Sequence, residues 1–109
     1  SDQTNNITPV PSTKIFEYLT GDREISGSIA EINGSYPESG LAINERCKEL
    51  VYVLSGNGQI ITESKKRSFE AGDVIFIDRN EKFRWEGNFS MFMATAPKFL
   101  SDQHIIVKE

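Results

Sequence analysis

The sequence has few of the residues that build disulfides and histidine metal sites. It contains one cysteine, Cys47, and one histidine, His104, among 109 residues. A single cysteine excludes a disulfide within the chain, and a single histidine excludes a metal site built from several imidazoles. We therefore expect a reducing, cytoplasmic environment and no metal or other cofactor.

Long apolar runs and an excess of positive charge are also missing. No stretch approaches the roughly 18 apolar residues of a membrane span. The 12 basic residues are outnumbered by 16 acidic ones, which gives a formal net charge of -4. This balance argues against nucleic acid and membrane surfaces as partners. Hydrophobic residues make up 38% of the chain, enough for the core of one globular domain.

Short apolar runs separated by turn residues are the dominant pattern. They predict about eight or nine strands and hence an all-β sandwich or barrel over residues 13–109. Residues 1–12 are polar and contain two prolines, which predicts a flexible N-terminal arm. Glycine-containing turns at 55–58 and 87–88 are interpreted as reversals between paired strands. The run Val74–Ile77 is apolar throughout, as in a strand that is buried on both faces.

Two segments resemble the conserved motifs of the cupin superfamily. In the first, six residues separate Glu49 from the turn glycine Gly56, and in the second the turn Ala71-Gly72-Asp73 opens an apolar strand. The resemblance covers about residues 39–97. It implies a small double-sheet jelly-roll β-barrel with an open mouth.

The resemblance also locates the family's metal ligands, and most of them are replaced. Cupins commonly use three histidines and one glutamate, and the histidine positions fall here on Ala42, Asn44 and Phe83. Only Glu49 keeps a metal-binding side chain, whereas a transition-metal site needs three or four donors. The chain is therefore identified as a cupin-like domain without the histidine metal centre.

The strand predicted around Glu49 also raises the questions of a metal site without histidines and of a reactive cysteine. Strict alternation places Glu45, Cys47 and Glu49 on one face, but about 6.6 Å between successive side chains is long for shared metal coordination. Cys47 is interpreted as a small buried thiol, because the possible base, His104, lies far along the chain. His104 itself is interpreted as a surface or strand-edge residue.

Glu49 is the strongest candidate for chemistry. At the cupin position its carboxylate would enter a mostly apolar barrel, where burial raises the pKa and favours a general acid, a general base or a ligand anchor. The alternative is a structural ion pair with Arg46 or Arg84.

Five further residues are candidate ligand contacts around Glu49. Asn44, Arg46 and Tyr52 are the predicted polar contacts, while Phe83 and Trp85, two positions apart, would share the inward face of a strand. The two aromatic residues would form the wall of an apolar or sugar-stacking pocket, or else fill a solid core. Basic residues such as Arg46 would suit an anionic ligand, but they are also typical of solvent-facing positions.

Three functions from different classes remain open. A small-molecule binding or sensing domain, with a carbohydrate or small carboxylate as ligand, ranks first because the sequence shows no proton-transfer pair. A metal-independent isomerase, epimerase or lyase acting on a sugar or keto acid, with Glu49 as acid or base, ranks second. A non-catalytic structural dimerisation protein ranks third. A homodimer is expected, since small cupin-like domains commonly pair.

Overall fold

The chain folds into a curled β-sheet in the computed structural model, which describes residues 4–18 and 20–108. The strands in this part are β1 (Thr4–Val10), β2 (Thr13–Tyr18), β3 (Ser26–Tyr36), β4 (Leu41–Asn44), β5 (Lys48–Thr62), β6 (Lys66–Glu70), β7 (Val74–Ile77), β8 (Lys82–Ala96) and β9 (His104–Val107). A short 3-10 helix, Ser101–Gln103, precedes β9. No helix within the described residues has the length and apolar character that a membrane crossing requires.

Strand β8 is the centre of the sheet. It pairs antiparallel with β3 along one edge and with β5 along the other, and β4 joins its N-terminal end. β7 and β6 follow one another along the far edge of β5, β2 and β1 extend the sheet beyond β3, and β9 pairs with β4. The predicted all-β jelly-roll barrel is confirmed.

The predicted strand reversals at 55–58 and 87–88 are wrong. Both segments lie inside strands of 15 residues, β5 and β8. The two strands pair across these segments, with Gly58 opposite Gly87 and a register shift between Val53 and Ser55. Gly56 has a φ of +79°, a left-handed conformation that side chains disfavour. The glycines therefore let two long paired strands bend without ending them.

Alternation along the strands directs the core residues to the inner face of the sheet. Phe69 packs edge-on against Trp85 and Phe89, at ring-centroid distances of 5.6 and 4.8 Å. Strand β7 departs from the expectation of two buried faces, because Ile75 and Ile77 are buried but the residues between and before them are exposed.

Part of the predicted N-terminal arm is a strand. Residues 4–10 form β1, which pairs with β2 from Thr4 opposite Tyr18 to Val10 opposite Thr13. The boundary between an arm over 1–12 and a barrel over 13–109 stays a prediction, and residues 1–3 lie outside the described part of the chain.

Candidate functional site

A cavity of about 680 Å³ opens into the barrel. Phe83, Trp85 and Met91 contribute to a lining surface that is mainly apolar, and Glu49 lines it together with other polar residues, among them Tyr36 and His104. This volume lies within the usual range of small-molecule sites, which combine apolar walls with a few placed polar groups. The two aromatic residues predicted as ligand contacts are therefore both cavity wall and part of the core.

Glu49 is the buried acid of the cavity. The residue is 5% exposed. Its Oε1 atom accepts a hydrogen bond of 2.7 Å from Asn44 Nδ2, and its Oε2 atom has no partner among the described residues. Burial raises the pKa of Glu49 to about 7, with the Asn44 hydrogen bond acting in the opposite direction. The carboxyl group therefore titrates near neutral pH and keeps one oxygen available to a ligand.

A chain of hydrogen bonds links Glu49 to a tyrosine. Asn44 Oδ1 lies 2.7 Å from His104 Nδ1, and His104 Nε2 lies 2.6 Å from the hydroxyl of Tyr36. Asn44 and His104 face each other because they are directly opposed in the antiparallel pair β4–β9. We call Tyr36, His104, Asn44 and Glu49 the polar relay; all but Asn44 line the cavity.

Backbone N–H groups fix the orientation of the side-chain amides of Gln103 and Asn44. The N–H groups of Arg46 and Cys47 donate to Gln103 Oε1 at 3.1 and 3.2 Å. The NH₂ group of Gln103 therefore points the other way and donates to Asn44 Oδ1 at 3.2 Å. Because that oxygen is an acceptor, the NH₂ group of Asn44 faces the carboxylate.

The same reasoning assigns the proton positions in the relay. Asn44 Oδ1 can only accept, so His104 must carry its proton on Nδ1 and donate it. The unprotonated Nε2 atom then accepts from the hydroxyl of Tyr36. All hydrogen bonds of the relay consequently run toward Glu49 Oε1, and a proton on the neutral Glu49 would sit on Oε2.

The pKa values of the neighbouring groups keep them neutral near pH 7. Burial lowers the pKa of His104. Burial, and then the charge of Glu49, raise the pKa of Tyr36 to about 12. The same two causes raise the pKa of Cys47 to about 11, and the interpretation of Cys47 as a small buried thiol is confirmed by its burial. Glu49 is the one relay member whose charge changes close to neutrality.

Three predicted ligand contacts, Asn44, Arg46 and Tyr52, do not line the cavity. Arg46 is turned outward and binds Asp102 with a 2.6 Å ion pair. Tyr52 is exposed on the opposite face of β5 from Glu49, because side chains three positions apart point to opposite sides of a strand. Asn44 is fully buried behind Glu49 and acts through it. The alternative ion pair of Glu49 does not form either, since Arg84 binds Glu86.

Sequence interpretation missed Tyr36 and separated His104 from the site. His104 is half-buried in β9 and belongs to the relay, although 59 residues lie between it and Asn44 in sequence. The apolar residues after His104 indicated a strand, but not which strand it pairs with. The sequence pattern was therefore sufficient to predict a strand after His104, but not to predict that His104 contacts Asn44.

The residues present do not fit the cupin metal centre. Of the family's ligand positions only Glu49 and Asn44 carry oxygen donors, and Asn44 Oδ1 already accepts from His104 and Gln103. Within the described residues no three His, Cys, Asp or Glu side chains are grouped closely enough to hold a metal ion. The expectation that Glu45 shares a face with Glu49 is wrong, because β5 begins at Lys48 and Glu45 is exposed before it.

Comparison with known proteins gives the family. No curated protein sequence matches the chain significantly. A solved structure of a Streptomyces PAC13 variant with uridine is similar at a TM-score of 0.88 and 19% identity, over 98% of this chain and 86% of that one; Pac13 is a nucleoside dehydratase. An RmlC-like cupin from Shewanella frigidimarina shares the fold, with a TM-score of 0.72 and 15% identity over 89% of this chain and 86% of that one. The Clostridium difficile EutQ protein also shares it, with a TM-score of 0.68 and 20% identity over 88% of this chain and 72% of that one. Residues 35–93 match the profile of the EutQ-like cupin domain, and the chain belongs to that family.

Proposed function

We propose that this protein is a metal-independent lyase that removes water from a small hydroxylated molecule, with Glu49 as the proton carrier. The observation that carries the proposal is the buried Glu49 carboxyl, which lines the cavity with Oε2 unpartnered and has a pKa of about 7. A general acid or base works best when its pKa lies near the working pH. This reverses the order of functions favoured by the sequence, in which binding without turnover ranked first.

One carboxylate is enough for the proposed step. Glu49 Oε2 takes a proton from a carbon next to a carbonyl group, and the electron pair of the broken C–H bond moves toward that carbonyl. The hydroxyl on the next carbon then leaves with the proton returned by Glu49, so that a C=C bond and one water molecule form. The carboxylate is regenerated, and no oxidant, reductant or cofactor enters the balance.

The polar relay supports the same role. Asn44 holds Oε1 at 2.7 Å, and the neutral His104 and Tyr36 hold Asn44 in turn. A carboxylate fixed through one oxygen presents the other in a constant position, and such preorganisation lowers the barrier of proton transfer. Asn44 and His104 are positioning residues in this proposal, and Glu49 is the catalytic residue.

The cavity favours a ligand of nucleoside or sugar type. Its volume of about 680 Å³ accommodates such a molecule, and Trp85 and Phe83 contribute to the apolar wall against which a base or a sugar ring would pack. Pac13, whose fold this chain shares, is a nucleoside dehydratase, and variants of it are seen with uridine. We also propose that the protein works as a homodimer in the cytoplasm, where its free thiol stays reduced.

Uridine binding and water loss test the proposal. Calorimetry would measure uridine binding, and mass spectrometry would follow loss of water from nucleosides and sugars with a hydroxyl β to an aldehyde or ketone. We expect Glu49→Gln to lower turnover at least ~100-fold while uridine still binds. Glu45→Gln, which neutralises an exposed carboxylate close by in sequence, should behave as the parent chain.

Two results would overturn the proposal. A folded protein that binds uridine but turns over no member of the panel would be the binding domain favoured by the sequence. Turnover that survives Glu49→Gln would remove Glu49 from the chemistry.

A further inference from the structure

A row of polar side chains crosses the inner face of the sheet beside Glu49. Ser26 on β3 lies directly opposite Thr95 on β8, and Thr95 lies directly opposite Glu49 on β5. Opposed residues of antiparallel strands share one face of the sheet, with their Cβ atoms about 4.5–5.5 Å apart. All three residues line the cavity. The carboxyl group and the two hydroxyl groups therefore face the same ligand. We call Ser26 and Thr95 the hydroxyl pair.

Thr95 is the polar neighbour of Glu49 across the strands of the sheet. On the other side of β5, strand pairing places the apolar Ile77 opposite Glu49. Thr95 is 5% exposed, and its hydroxyl does not bond the free oxygen of the carboxyl group, since Glu49 Oε2 has no partner among the described residues. A ligand in the cavity can therefore contact the Thr95 hydroxyl and Glu49 Oε2 at the same time.

The hydroxyl pair shares one hydrogen bond and has one hydroxyl proton left over. The oxygens of Ser26 and Thr95 are 2.5 Å apart, so one hydroxyl donates to the other. Ser26 Oγ also accepts from the backbone N–H of Phe99 at 3.0 Å. Thr95 Oγ1 lies 3.4 Å from the carbonyl oxygen of Ser26, which is long for a hydroxyl donor. The proton of Thr95 is therefore available to a ligand when Ser26 donates to Thr95.

That arrangement orients three hydrogen bonds in one direction. The N–H of Phe99 donates to Ser26, the hydroxyl of Ser26 donates to Thr95, and the hydroxyl of Thr95 donates into the cavity. Each bond in such a chain polarises the next, which makes the last hydroxyl a better donor than an isolated one. The hydroxyl pair thus aims a strengthened donor at the space beside Glu49.

The members of the polar relay have already used their own protons. The hydroxyl of Tyr36 donates to His104, and the Nδ1–H group of His104 donates to Asn44. These two protons hold Glu49 in place and do not face a ligand. The relay and the hydroxyl pair therefore divide the work, since the first orients the carboxyl group and the second offers a hydrogen bond to what the carboxyl group acts on.

We propose that Thr95 donates a hydrogen bond to the carbonyl oxygen of the substrate and stabilises the negative charge that collects there, with Ser26 as the positioning residue behind it. This inference rests on the proposed lyase activity, and it restricts the substrate to compounds whose carbonyl oxygen and neighbouring C–H group reach Thr95 and Glu49 together.

The proposed interaction acts on the intermediate of the reaction. When Glu49 Oε2 removes the proton, the electron pair of the broken C–H bond moves onto the carbonyl oxygen and forms an enolate, while Thr95 keeps its own proton. When the hydroxyl group then leaves with the proton from Glu49, the charge moves back off the oxygen, so that the C=O bond is restored as the C=C bond forms. A donor fixed toward a developing oxyanion is stronger in the transition state than in the ground state, and it therefore raises kcat.

Steady-state kinetics of the full chain tests the role of Thr95, on the panel of nucleosides and sugars with a hydroxyl β to an aldehyde or ketone. We expect Thr95→Val, which keeps the shape of the side chain but removes its hydroxyl, to lower kcat at least ~100-fold, as loss of one oxyanion donor does. Thr95→Ser restores the hydroxyl and should recover kcat to within about 10-fold of the parent chain. Ser26→Ala should lower kcat about 10-fold with KM unchanged, because Thr95 loses its alignment but not its hydroxyl.

Ser90→Ala is the matched control. Ser90 and Ser55 form a second pair of hydroxyls, 2.6 Å apart and directly opposed on β8 and β5, but neither residue lines the cavity. Loss of the Ser90 hydroxyl should leave kcat unchanged. The dissociation constant of uridine should stay within about 3-fold of the parent value in all of these variants, since the proposed bond strengthens only during the reaction. Circular dichroism and thermal unfolding would show which variants are folded.

The outcomes separate this inference from the proposed activity. A parent chain without turnover of any panel member overturns the lyase and, with it, the enolate that Thr95 would stabilise. Turnover that Thr95→Val leaves unchanged overturns the role of Thr95 alone and leaves the lyase intact. An equal loss in Thr95→Ser and Thr95→Val does the same, because the hydroxyl is then not what matters. If Thr95→Val does not fold, an unchanged kcat in Ser26→Ala overturns the inference.

Discussion

Glu49 is a carboxyl group taken out of water without a cation beside it. An ionised carboxylate in such a place is costly, and proteins usually respond by pairing it or by keeping it protonated. Here the second response applies, since the single hydrogen bond from Asn44 only partly offsets burial and the pKa lies at about 7. A raised pKa of this kind is typical of groups that exchange a proton with a ligand, which is the role that we propose for Glu49.

Tyr36 is the residue at the far end of the relay, and its hydroxyl can be removed alone. We expect Tyr36→Phe to lower the free energy of unfolding by about 1–2 kcal/mol, because the half-buried Nε2 atom of His104 loses its hydrogen-bond donor. Urea denaturation would measure the change. Tyr52→Phe removes a hydroxyl from an exposed tyrosine and should stay within about 0.5 kcal/mol of the parent chain. Equal stability of the two variants would contradict a stabilising hydrogen bond between Tyr36 and His104.

Part of the site could be predicted from the sequence, because short-range patterns locate those residues. The motif spacing located Glu49, and a period of two placed Phe83 and Trp85 on one inward face. Tyr36 and His104 could not be found in this way, because they meet through the pairing of strands that are distant in sequence. Arg46 was wrongly predicted as a ligand contact. It precedes β5, and strand alternation does not predict the direction of a side chain outside a strand.

At the level of elements, β5 and β8 were each predicted as two strands. Segments such as Ser55–Gly58 contain the residues that hairpin turns prefer, and local chemistry alone favours a reversal. Tertiary pairing decides otherwise, because both strands continue and pair with each other across the bend. The glycines serve close backbone approach here: a Cβ atom on Gly58 would overlap the carbonyl oxygen of Glu86.

Gly56 tests this role of glycine. Its φ is +79°, and a Cβ atom would overlap the carbonyl oxygen of Asn88 in the neighbouring strand. We expect Gly56→Ala to destabilise the fold by roughly 2–4 kcal/mol, as the sum of left-handed strain and displaced backbone. Gly21→Ala is the control, since Gly21 has nearly the same φ, +77°, but nothing within 4 Å of the added atom. Chemical denaturation should separate the two, and equal losses would mean that strain alone matters.

At the scale of the whole molecule, the site gives stability two opposing dependences on pH. The pKa of Glu49 is raised on folding, so the folded chain holds an extra proton between pH 4.5 and about 7 and loses stability as the pH rises through this window. The pKa of His104 is lowered on folding, so the folded chain loses stability as the pH falls below 6.5. The pH dependence of the parent chain's stability would therefore contain both contributions, that of Glu49 and that of His104.

Subtracting the stability of Glu49→Gln separates them, because His104 is present in both chains. We expect the free energy of unfolding of the parent chain, minus that of Glu49→Gln, to fall by up to about 3 kcal/mol as the pH rises from 4.5 to 7, and to level off above 7. Urea denaturation across this range measures the difference. Glu45→Gln retains Glu49 and should keep the parent slope. If the difference rises with pH instead, Glu49 is stabilised in its ionised form, and a buried carboxyl group that protonates near neutrality is no longer available to the proposed reaction.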